Sequence, residues 1–462
     1  MAVKIPKEPF HKSDIKVLIK SFCLLCIYLL YWQNASAQTV LNGVYKNYIG
    51  IETTGDNELV AARNRLRLSL RRDTDFGGFT AKTDLLNSFE DPQEVELLLR
   101  EAYLDWYLDS YDVRIGKQVI AWGRTNGAFV TDIISPLDVR EFLTIPIEDI
   151  RLGLTSLNVI RYLGSNFLQF VFAPFDQPDL LPAADSRWFP INTEQIPLNV
   201  ETVQPRIEET ENRLQGALRF AWRSPDRLDL DLMAMRWAHP VPAYDIGLET
   251  VGFPNLIQLQ FIENYRSSWM GGLSVSWNPL STLFIKAEGL FVEGKLFNNL
   301  PVSAEIPDGD DPSLGTLTAF LQSLQLDSEF DGLITERPWI HAMAGVEFEV
   351  WDTNISLEGY IEQILDYKDT LLQEKQFEYA TLSATRSFLD SRLNILALSR
   401  YQFDQDDYWV QLRGTYEIRN GFEATLGTNL FSGSTPPLLF GHLTFGNYTG
   451  SSFLFSKIAL FF

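Results

Sequence analysis

Cysteine and long apolar runs are the two features that this sequence has least of. Its 462 residues include two cysteines, Cys23 and Cys26, and both lie in an N-terminal stretch that we expect to be removed. Without them the chain has neither a disulfide framework nor a cysteine metal site. Beyond residue 37 no stretch approaches the roughly 20 consecutive apolar residues of a membrane-spanning helix. The sequence therefore argues against a helical membrane protein and against thiol chemistry.

Positive charge and histidine are also scarce. Lysine and arginine number 38 against 60 acidic residues, for a formal net charge of −22. Such acidity argues against a nucleic-acid partner. The histidines beyond residue 37 are His239, His341 and His442, and their separation offers no metal-ligand spacing. No nucleophile-elbow motif is present, so we expect no metal, no cofactor and no enzymatic activity.

The first 37 residues have the pattern of a cleaved secretory signal peptide. Five lysines between Lys4 and Lys20 precede the apolar run Phe22–Trp32, and Ala35-Ser36-Ala37 forms a small-residue cleavage site. Cleavage between Ala37 and Gln38 would leave residues 38–462 as a single domain. We therefore expect a chain that is exported from the cytoplasm.

Beyond Gln38 the sequence repeats segments of about ten residues in which apolar and polar side chains alternate. Eighteen such segments fall between Leu41 and Phe462, and short turns alternate with long or variable connections. The long connections are Gln118–Thr155, Pro174–Asn212, Ala238–Arg266, Gly294–Arg337 and Ser432–Ser452. Short periplasmic turns and long outer loops on alternate ends are typical of outer-membrane barrels. The sequence predicts a transmembrane antiparallel up-and-down β-barrel of about eighteen strands, with sixteen as the alternative count.

The last ten residues place Leu454, Ile458, Leu460 and Phe462 on one face of a strand. Because an unprotected apolar edge invites aggregation, we expect this strand to pair with the first one and close the barrel. The segment resembles the C-terminal strand of bacterial outer-membrane barrels, whose final Phe is an assembly signal. The resemblance implies that Phe462 is recognised by the barrel-assembly machinery. Outer-membrane lipid and lipopolysaccharide are the other expected partners, and a homo-oligomer is left open.

Tryptophan positions indicate two aromatic girdles, one at each membrane interface. The first group lies beside short turns and the second beside the opposite strand ends. The first comprises Trp106, Trp222, Trp277 and Trp351, and the second Trp237, Trp269, Trp339 and Trp409.

Arginines alternate with leucines in the second strand, where Leu66, Leu68 and Leu70 occupy the opposite phase. An arginine facing lipid at mid-bilayer costs about 2 to 4 kcal/mol, so the arginines must face the lumen. The predicted cationic positions are Arg63, Arg65, Arg67, Arg71 and Arg114, and the predicted acidic positions on later strands are Glu347, Glu349 and Glu358. A field between these walls would select ions. The alternative is mutual salt-bridging that fills a closed lumen.

The stretch from Arg114 to Arg124 reads RIGKQVIAWGR, and DIISPLD follows from Asp132 to Asp138. This stretch resembles a large family of porin-like proteobacterial outer-membrane proteins of unassigned function. Its G-[KR]-Q-x-x-x-W-G core is also distantly similar to the alginate-export barrels. The resemblance covers about residues 114–142, implies a porin-like barrel and leaves the solute open.

The connection Gln118–Thr155 is predicted to fold into the barrel as its constriction. Its apolar side chains would be exposed to solvent outside the barrel, whereas inside they can pack against the wall. These are Trp122, Phe129, Ile133, Ile134, Phe142 and Ile145. Polar residues placed to line the pore and meet charges of the wall are Lys117, Gln118, Arg124, Asp132 and Asp138.

Two functions are compatible with these patterns. The first is an outer-membrane porin-like channel for diffusion or export of small polar or anionic solutes. The alternative is a surface structural or adhesion barrel with a closed lumen, whose long acidic loops bind partners. The acidic run Asp308-Gly309-Asp310-Asp311 belongs to one of those loops.

Overall fold

The computed structural model describes residues 38–54, 58–88, 95–190, 199–203, 214–225, 227–251, 256–300, 332–403, 406–434 and 444–462. The predicted signal peptide with its cleavage residue Ala37, and the acidic run at 308–311, lie outside the described residues. No helix in the described ranges has the length and apolarity needed to cross a membrane.

Eighteen antiparallel strands form one closed sheet, which confirms the predicted barrel and its strand count. Strands are numbered along the chain. The barrel consists of β1 (Gln38–Glu52), β2 (Leu59–Thr74), β3 (Gly77–Ser88), β4 (Val95–Leu108), β5 (Tyr111–Gln118), β6 (Leu154–Leu163), β7 (Asn166–Ala173), β9 (Gln215–Arg223), β10 (Leu228–Ala238), β13 (Ser267–Leu280), β14 (Leu283–Asn298), β15 (Ile334–Val350), β16 (Thr353–Ile364), β17 (Gln376–Phe388), β18 (Leu393–Gln402), β19 (Asp407–Arg419), β20 (Phe422–Ser432) and β21 (Phe453–Phe461).

The first and last strands close the barrel, as the sequence predicts. β1 pairs antiparallel with β21 from Val44 opposite Phe461 to Glu52 opposite Phe453. Two backbone hydrogen bonds extend this ladder, from the Gly43 N–H to the Phe462 carbonyl at 2.6 Å and from the Phe462 N–H to the Gly43 carbonyl at 2.9 Å. Closure leaves no free edge in the barrel sheet, and this removes the hazard of an exposed apolar strand.

The outer face of the barrel is apolar, because leucines occupy the outward phase of strand after strand. Examples that are more than a third exposed are Leu218, Leu232, Leu273, Leu357, Leu382, Leu412, Leu426 and Leu454. In water such a continuous apolar surface would be unfavourable, whereas a bilayer solvates it. The inward phase instead carries Arg, Asp, Glu and small polar side chains.

A second, three-stranded sheet lies outside the barrel sheet, in connections that the sequence analysis treated as loops. β11 (Ala243–Val251) pairs antiparallel with β12 (Leu256–Asn264), and β12 pairs parallel with β8 (Asn199–Val203). We call these three strands the outer sheet. Asn298 at the end of β14 fixes it to the barrel rim, since its side chain exchanges hydrogen bonds with the backbone of Tyr244 at 3.1 and 2.6 Å.

The predicted tryptophan girdle at the long-loop end is wrong for most of its members. Trp237, Trp339 and Trp409 are 3%, 3% and 7% exposed and lie in apolar clusters inside the barrel, whereas Trp269 is 63% exposed. Each of the three buried residues shares the inward phase of its strand. At the short-turn end Trp222, Trp277 and Trp351 are exposed, as a girdle requires.

Candidate functional site

The connection between β5 and β6, residues 119–153, lies inside the barrel, and we call it the inner loop. Most of its apolar side chains, among them Trp122, Ile133 and Ile134, are buried against inward residues of β10 and β14 in one cluster, whereas the half-buried Phe142 packs on a second cluster formed with β19 to β21, and Phe129 is half-buried. Trp122, Ile133, Ile134 and Ile145 are 1%, 7%, 1% and 6% exposed. Burying each such side chain stabilises by about 1.5 to 3 kcal/mol. The predicted packing of this segment against the inner wall is therefore confirmed.

The inner loop begins where Gly116 and Gln118 change the course of β5. Gly116 has a φ of +128°, and a Cβ there would overlap the backbone of β4, so only glycine fits. The Gln118 side chain is fully buried, donates to the Ser156 carbonyl at 3.1 Å and accepts from Asn158 at 3.2 Å. These contacts fix the base of the loop to β6.

A one-turn helix, α1 (Ile147–Ile150), attaches the inner loop to the wall formed by β1 and β2. The Asp149 carboxylate accepts from Lys46 and Arg67 at 2.6 Å and lies 3.0 Å from Arg65. Arg100 of β4 donates to the backbone carbonyls of Asp149 and Arg151. Burial alone would raise the pKa of Asp149, but Lys46, Arg67 and Arg65 outweigh it and hold the pKa well below its ordinary value.

The arginines of β2 form ion pairs with neighbouring carboxylates, which offset their charges. Arg65 and Arg67 share Asp84 of β3 as well as Asp149. Arg63 donates to the Thr144 carbonyl at 2.7 Å and pairs with Glu141 of the inner loop. Their charges are therefore used to hold the loop, as in the salt-bridging alternative.

The far side of the inner loop is held by two glutamates of the opposite wall, and both accept hydrogen bonds from loop backbone. Glu358 of β16 accepts from the N–H of Gly127 at 2.9 Å and of Asn126 at 3.1 Å. Glu288 of β14 accepts from the N–H and hydroxyl of Thr131 at 3.1 and 2.7 Å. The loop thus crosses the lumen from β1 and β2 to β14 and β16.

The remaining predicted pore-lining residues are mostly engaged in ion pairs. Arg124 pairs with Asp229 and Asp231 of β10, and Asp132 and Asp138 pair with Arg151 and Arg140 inside the loop. Arg114 pairs with Asp105, and Arg71 pairs with Asp73. Glu347 pairs with Lys286 at 2.6 Å, and Glu349 is exposed near the short turn of β15. Lys117 lies opposite Ala102 and Thr155 at the base of the loop.

A cavity of about 950 Å³ remains between the inner loop and the wall from β15 to β21. Asp132 and Glu347 are the predicted pore-lining residues found on its surface. The barrel wall also contributes four cations that the sequence analysis missed, Lys295, Arg400, Arg413 and Lys457, and one further carboxylate, Glu362. The inward phase of β18, β19 and β21 could have revealed the last three of these cations, because Arg413 lies two and four residues after the inward Gln411 and Trp409.

No group of three or more metal-ligating side chains occurs in the part of the chain that the structure describes.

No protein-family model matches the chain, and no curated protein matches its sequence. Solved structures do match it. OpdL of Pseudomonas aeruginosa has a TM-score of 0.51 and 7% identity, over 92% of this chain and 98% of that one. OccAB1 of Acinetobacter baumannii has a TM-score of 0.50 and 8% identity, over 93% and 98%. A BenF-like porin from Pseudomonas fluorescens Pf-5 has a TM-score of 0.50 and 8% identity, over 92% and 98%. The fold is that of a porin-like β-barrel of the bacterial outer membrane.

Proposed function

We propose that this chain is an outer-membrane channel through which small polar or anionic solutes diffuse. The observation that carries the proposal is a set of cations on the wall of the cavity that form no ion pair, although the same cavity is also lined by carboxyl groups such as Glu347 and Glu362. Arg400, Arg413 and Lys457 line it, and none of the three has a carboxylate within 4.0 Å in the part of the chain that the structure describes. An unpaired cation beside a water-filled space attracts anions.

Two of the three cations lie close together on either side of β20, and Arg400 lies farther along the wall, on β18 opposite Trp409. Arg413 and Lys457 flank β20, where they pair with Gly427 and Thr425, two residues apart. Two strands of separation correspond to about 10 Å across the sheet. The Arg400 guanidinium stacks on the Tyr379 ring at 3.8 Å, which fixes its orientation. A small anion moving along this wall would meet them in succession.

Arg65 and Arg67 are expected to contribute less to selectivity than Arg413 and Lys457. Their charges are offset by Asp84 and Asp149 at contact distance. Neither arginine lines the cavity. We therefore assign them mainly to positioning the inner loop, and assign selection of solutes to the late strands.

Planar-bilayer recording of the protein purified from outer membranes tests the proposal. We expect discrete conductance steps and, in a potassium chloride gradient, a reversal potential on the chloride side. Heat-modifiable migration on a gel provides the control that the barrel is folded. A folded protein that never conducts would contradict the channel and favour the surface barrel with a closed lumen.

A homo-oligomer stays a prediction. The barrel-assembly machinery and lipopolysaccharide also stay predicted partners.

A further inference from the structure

Two buried carboxyl groups in the connections above the barrel have no cationic partner. Asp179 and Glu263 are 4% and 2% exposed. Asp179 accepts a hydrogen bond from the Leu137 N–H at 2.8 Å, and Glu263 accepts one from the Tyr265 hydroxyl at 2.9 Å. Among the residues that the structure describes, no Lys, Arg or His lies within 4.0 Å of either carboxylate. A buried, unpaired carboxylate is costly when it is ionised.

Asp179 lies at the junction between the inner loop and residues 174–190, which we call the cap segment. The Leu180 N–H donates to the Leu137 carbonyl at 2.8 Å, and the Val139 N–H donates to the Leu180 carbonyl at 2.9 Å. Farther along the cap segment, Trp188 packs on Phe142 of the inner loop with ring centroids 6.0 Å apart. Asp179 and Trp188 both line the 950 Å³ cavity, so the cap segment covers part of it.

Glu263 lies on the outer sheet, which contacts the cap segment directly. Phe261, on the same strand, stacks on Phe189 of the cap segment at 6.0 Å. Glu263 faces Tyr244 across the sheet. The outer sheet, the cap segment and the inner loop therefore form one packed unit that contains both carboxyl groups.

The titratable groups around the two carboxyls supply no compensating charge. On the inner loop Asp138, which bridges to Leu180 beside Asp179, is already paired with Arg140. After β10, burial lowers the pKa of His239 and keeps its ring neutral. Tyr265, between the two carboxyls, and Tyr244 both have raised pKa values because they are buried. The cap segment itself adds Asp176, the exposed Asp185 and Arg187, and Arg187 is paired with Glu58 at 3.2 Å.

We propose that Asp179 and Glu263 form a pH-sensitive latch, which holds the cap segment and outer sheet over the cavity while both are protonated and releases them when they ionise. Release of the cap segment and outer sheet does not require that the protein is a channel. Only the predicted effect of this release on ionic current rests on the proposed function.

Burial raises the pKa of Asp179 and of Glu263 to about 7 in the closed arrangement. In an open, hydrated arrangement the pKa of each carboxyl group would return to its ordinary value of about 4. The closed state is therefore most stable below about pH 4 and weakens as the pH rises from about 4 to about 7. Above about pH 7 the stability of the closed state falls no further. Each carboxyl can change the opening equilibrium by up to about tenfold per pH unit within this window.

Hydrogen exchange of the full chain in detergent micelles, at about pH 5 and about pH 7.5, tests the latch without requiring conduction. After correction for intrinsic exchange, protection of the amides at Leu137, Val139 and Leu180 should fall at least tenfold at the higher pH. In the Asp179→Asn, Glu263→Gln double variant these three amides should be equally protected at both pH values. Asp185→Asn, which removes an exposed carboxylate from the same segment, should behave as the wild type.

Bilayer recordings add the second readout. Open probability should rise with pH in the wild type and in Asp185→Asn, and stay constant in the double variant. Equal protection of the wild-type amides at both pH values would overturn the latch, and so would a pH response that survives in the double variant. If the amides respond as expected but no current is ever seen, the latch stands and the channel proposal fails.

Discussion

The carboxylate of Asp149 lies 2.6 Å from the guanidinium of Arg67, and this contact joins the inner loop to the barrel wall across 82 residues of sequence. Asp149 also holds Lys46 and Arg65, and its side chain is 2% exposed. Replacing Asp149 with Asn should destabilise the docked loop by about 3 to 5 kcal/mol, because buried cations lose their counter-charge. Urea unfolding of the folded barrel would measure the change.

Asp73→Asn is the matched control, since it removes an Asp–Arg pair at the exposed end of β2. The Arg71 and Asp73 side chains are 62% and 44% exposed. Exposed pairs contribute about 0 to 1 kcal/mol, so this variant should unfold almost as the wild type does. Equal losses in the two variants would show that Asp149 has no special part in docking the loop.

The stabilisation from Asp149 should depend on pH in a defined direction. The neighbouring cations depress its folded-state pKa below the ordinary value. Its contribution is therefore complete above the unfolded-state pKa of about 3.9 and is lost as the pH falls below that value. The difference in unfolding free energy between wild type and Asp149→Asn should be constant above about pH 5 and shrink toward pH 3. A difference that grows on acidification would contradict this explanation.

Glu358 should hold the far side of the inner loop through the backbone of Asn126 and Gly127. Hydrogen bonds to a charged group contribute about 1.5 to 3 kcal/mol, so Glu358→Ala should speed exchange of these two amides about tenfold or more. Glu349→Ala, an exposed glutamate on the neighbouring strand β15, is the control and should leave them unchanged. Unaltered exchange in Glu358→Ala would mean that the loop is held by its other contacts alone.

Removing residues 126–143 and bridging the gap with a short Gly-Ser linker should raise single-channel conductance severalfold. The deletion removes the part of the inner loop that begins at the contact with Glu358 of β16 and ends within the 3₁₀ turn Phe142–Thr144. Lumens of eighteen-stranded barrels are wide enough for an aqueous channel when nothing fills them. Heat-modifiable migration must first show that the variant is folded. A folded variant with wild-type conductance would place the constriction elsewhere.

The pairing of Gly43 with Phe462 should limit what the closing strand tolerates. A Cβ on Gly43 would overlap the Phe462 ring, whereas a Cβ on Gly271 of β13 would meet nothing within 4 Å. Gly43→Val should therefore displace the Phe462 ring and reduce the folded fraction, and Gly271→Val should not. Equal folded fractions for the two variants would show that the ring moves aside freely.

The barrel was predictable because each of its strands repeats the same period-2 signal between turns. The outer sheet was missed although β11 also alternates, with Tyr244 and Ile246 out of phase with Asp245 and Gly247. The length of the connection predicts a loop, whereas this local alternation predicts the strand that forms. The three buried tryptophans show a related conflict, because their position beside strand ends predicts a girdle, whereas their inward phase along the strand predicts burial, and the phase decides. In each case the information was in the sequence, at the level of single residues.

The contacts of the candidate site were beyond sequence analysis. Apolar composition predicted that the inner loop enters the barrel, and the structure confirms its packing. The identity of Asp149 as the partner of Arg67 depends on the path of a loop, which no periodicity specifies. Pairing also decides which inward arginines keep an exposed charge. The arginine ladder of β2 was visible, whereas its neutralisation by Asp84 and Asp149 required the fold.

The proposed function rests on Arg413 and Lys457, and the reversal potential of an Arg413→Gln, Lys457→Gln double variant in a potassium chloride gradient tests it most directly. Even in water-like surroundings an unpaired cation attracts an anion at contact distance by about 1 kcal/mol. Removing the two cations should therefore lower the preference for chloride over potassium roughly fivefold or more. Arg392→Gln with Arg419→Gln removes the same charge from exposed positions near the short turns that do not line the cavity, and should leave the preference unchanged. A reversal potential that is the same in both double variants and in the wild type would contradict selection by the late strands.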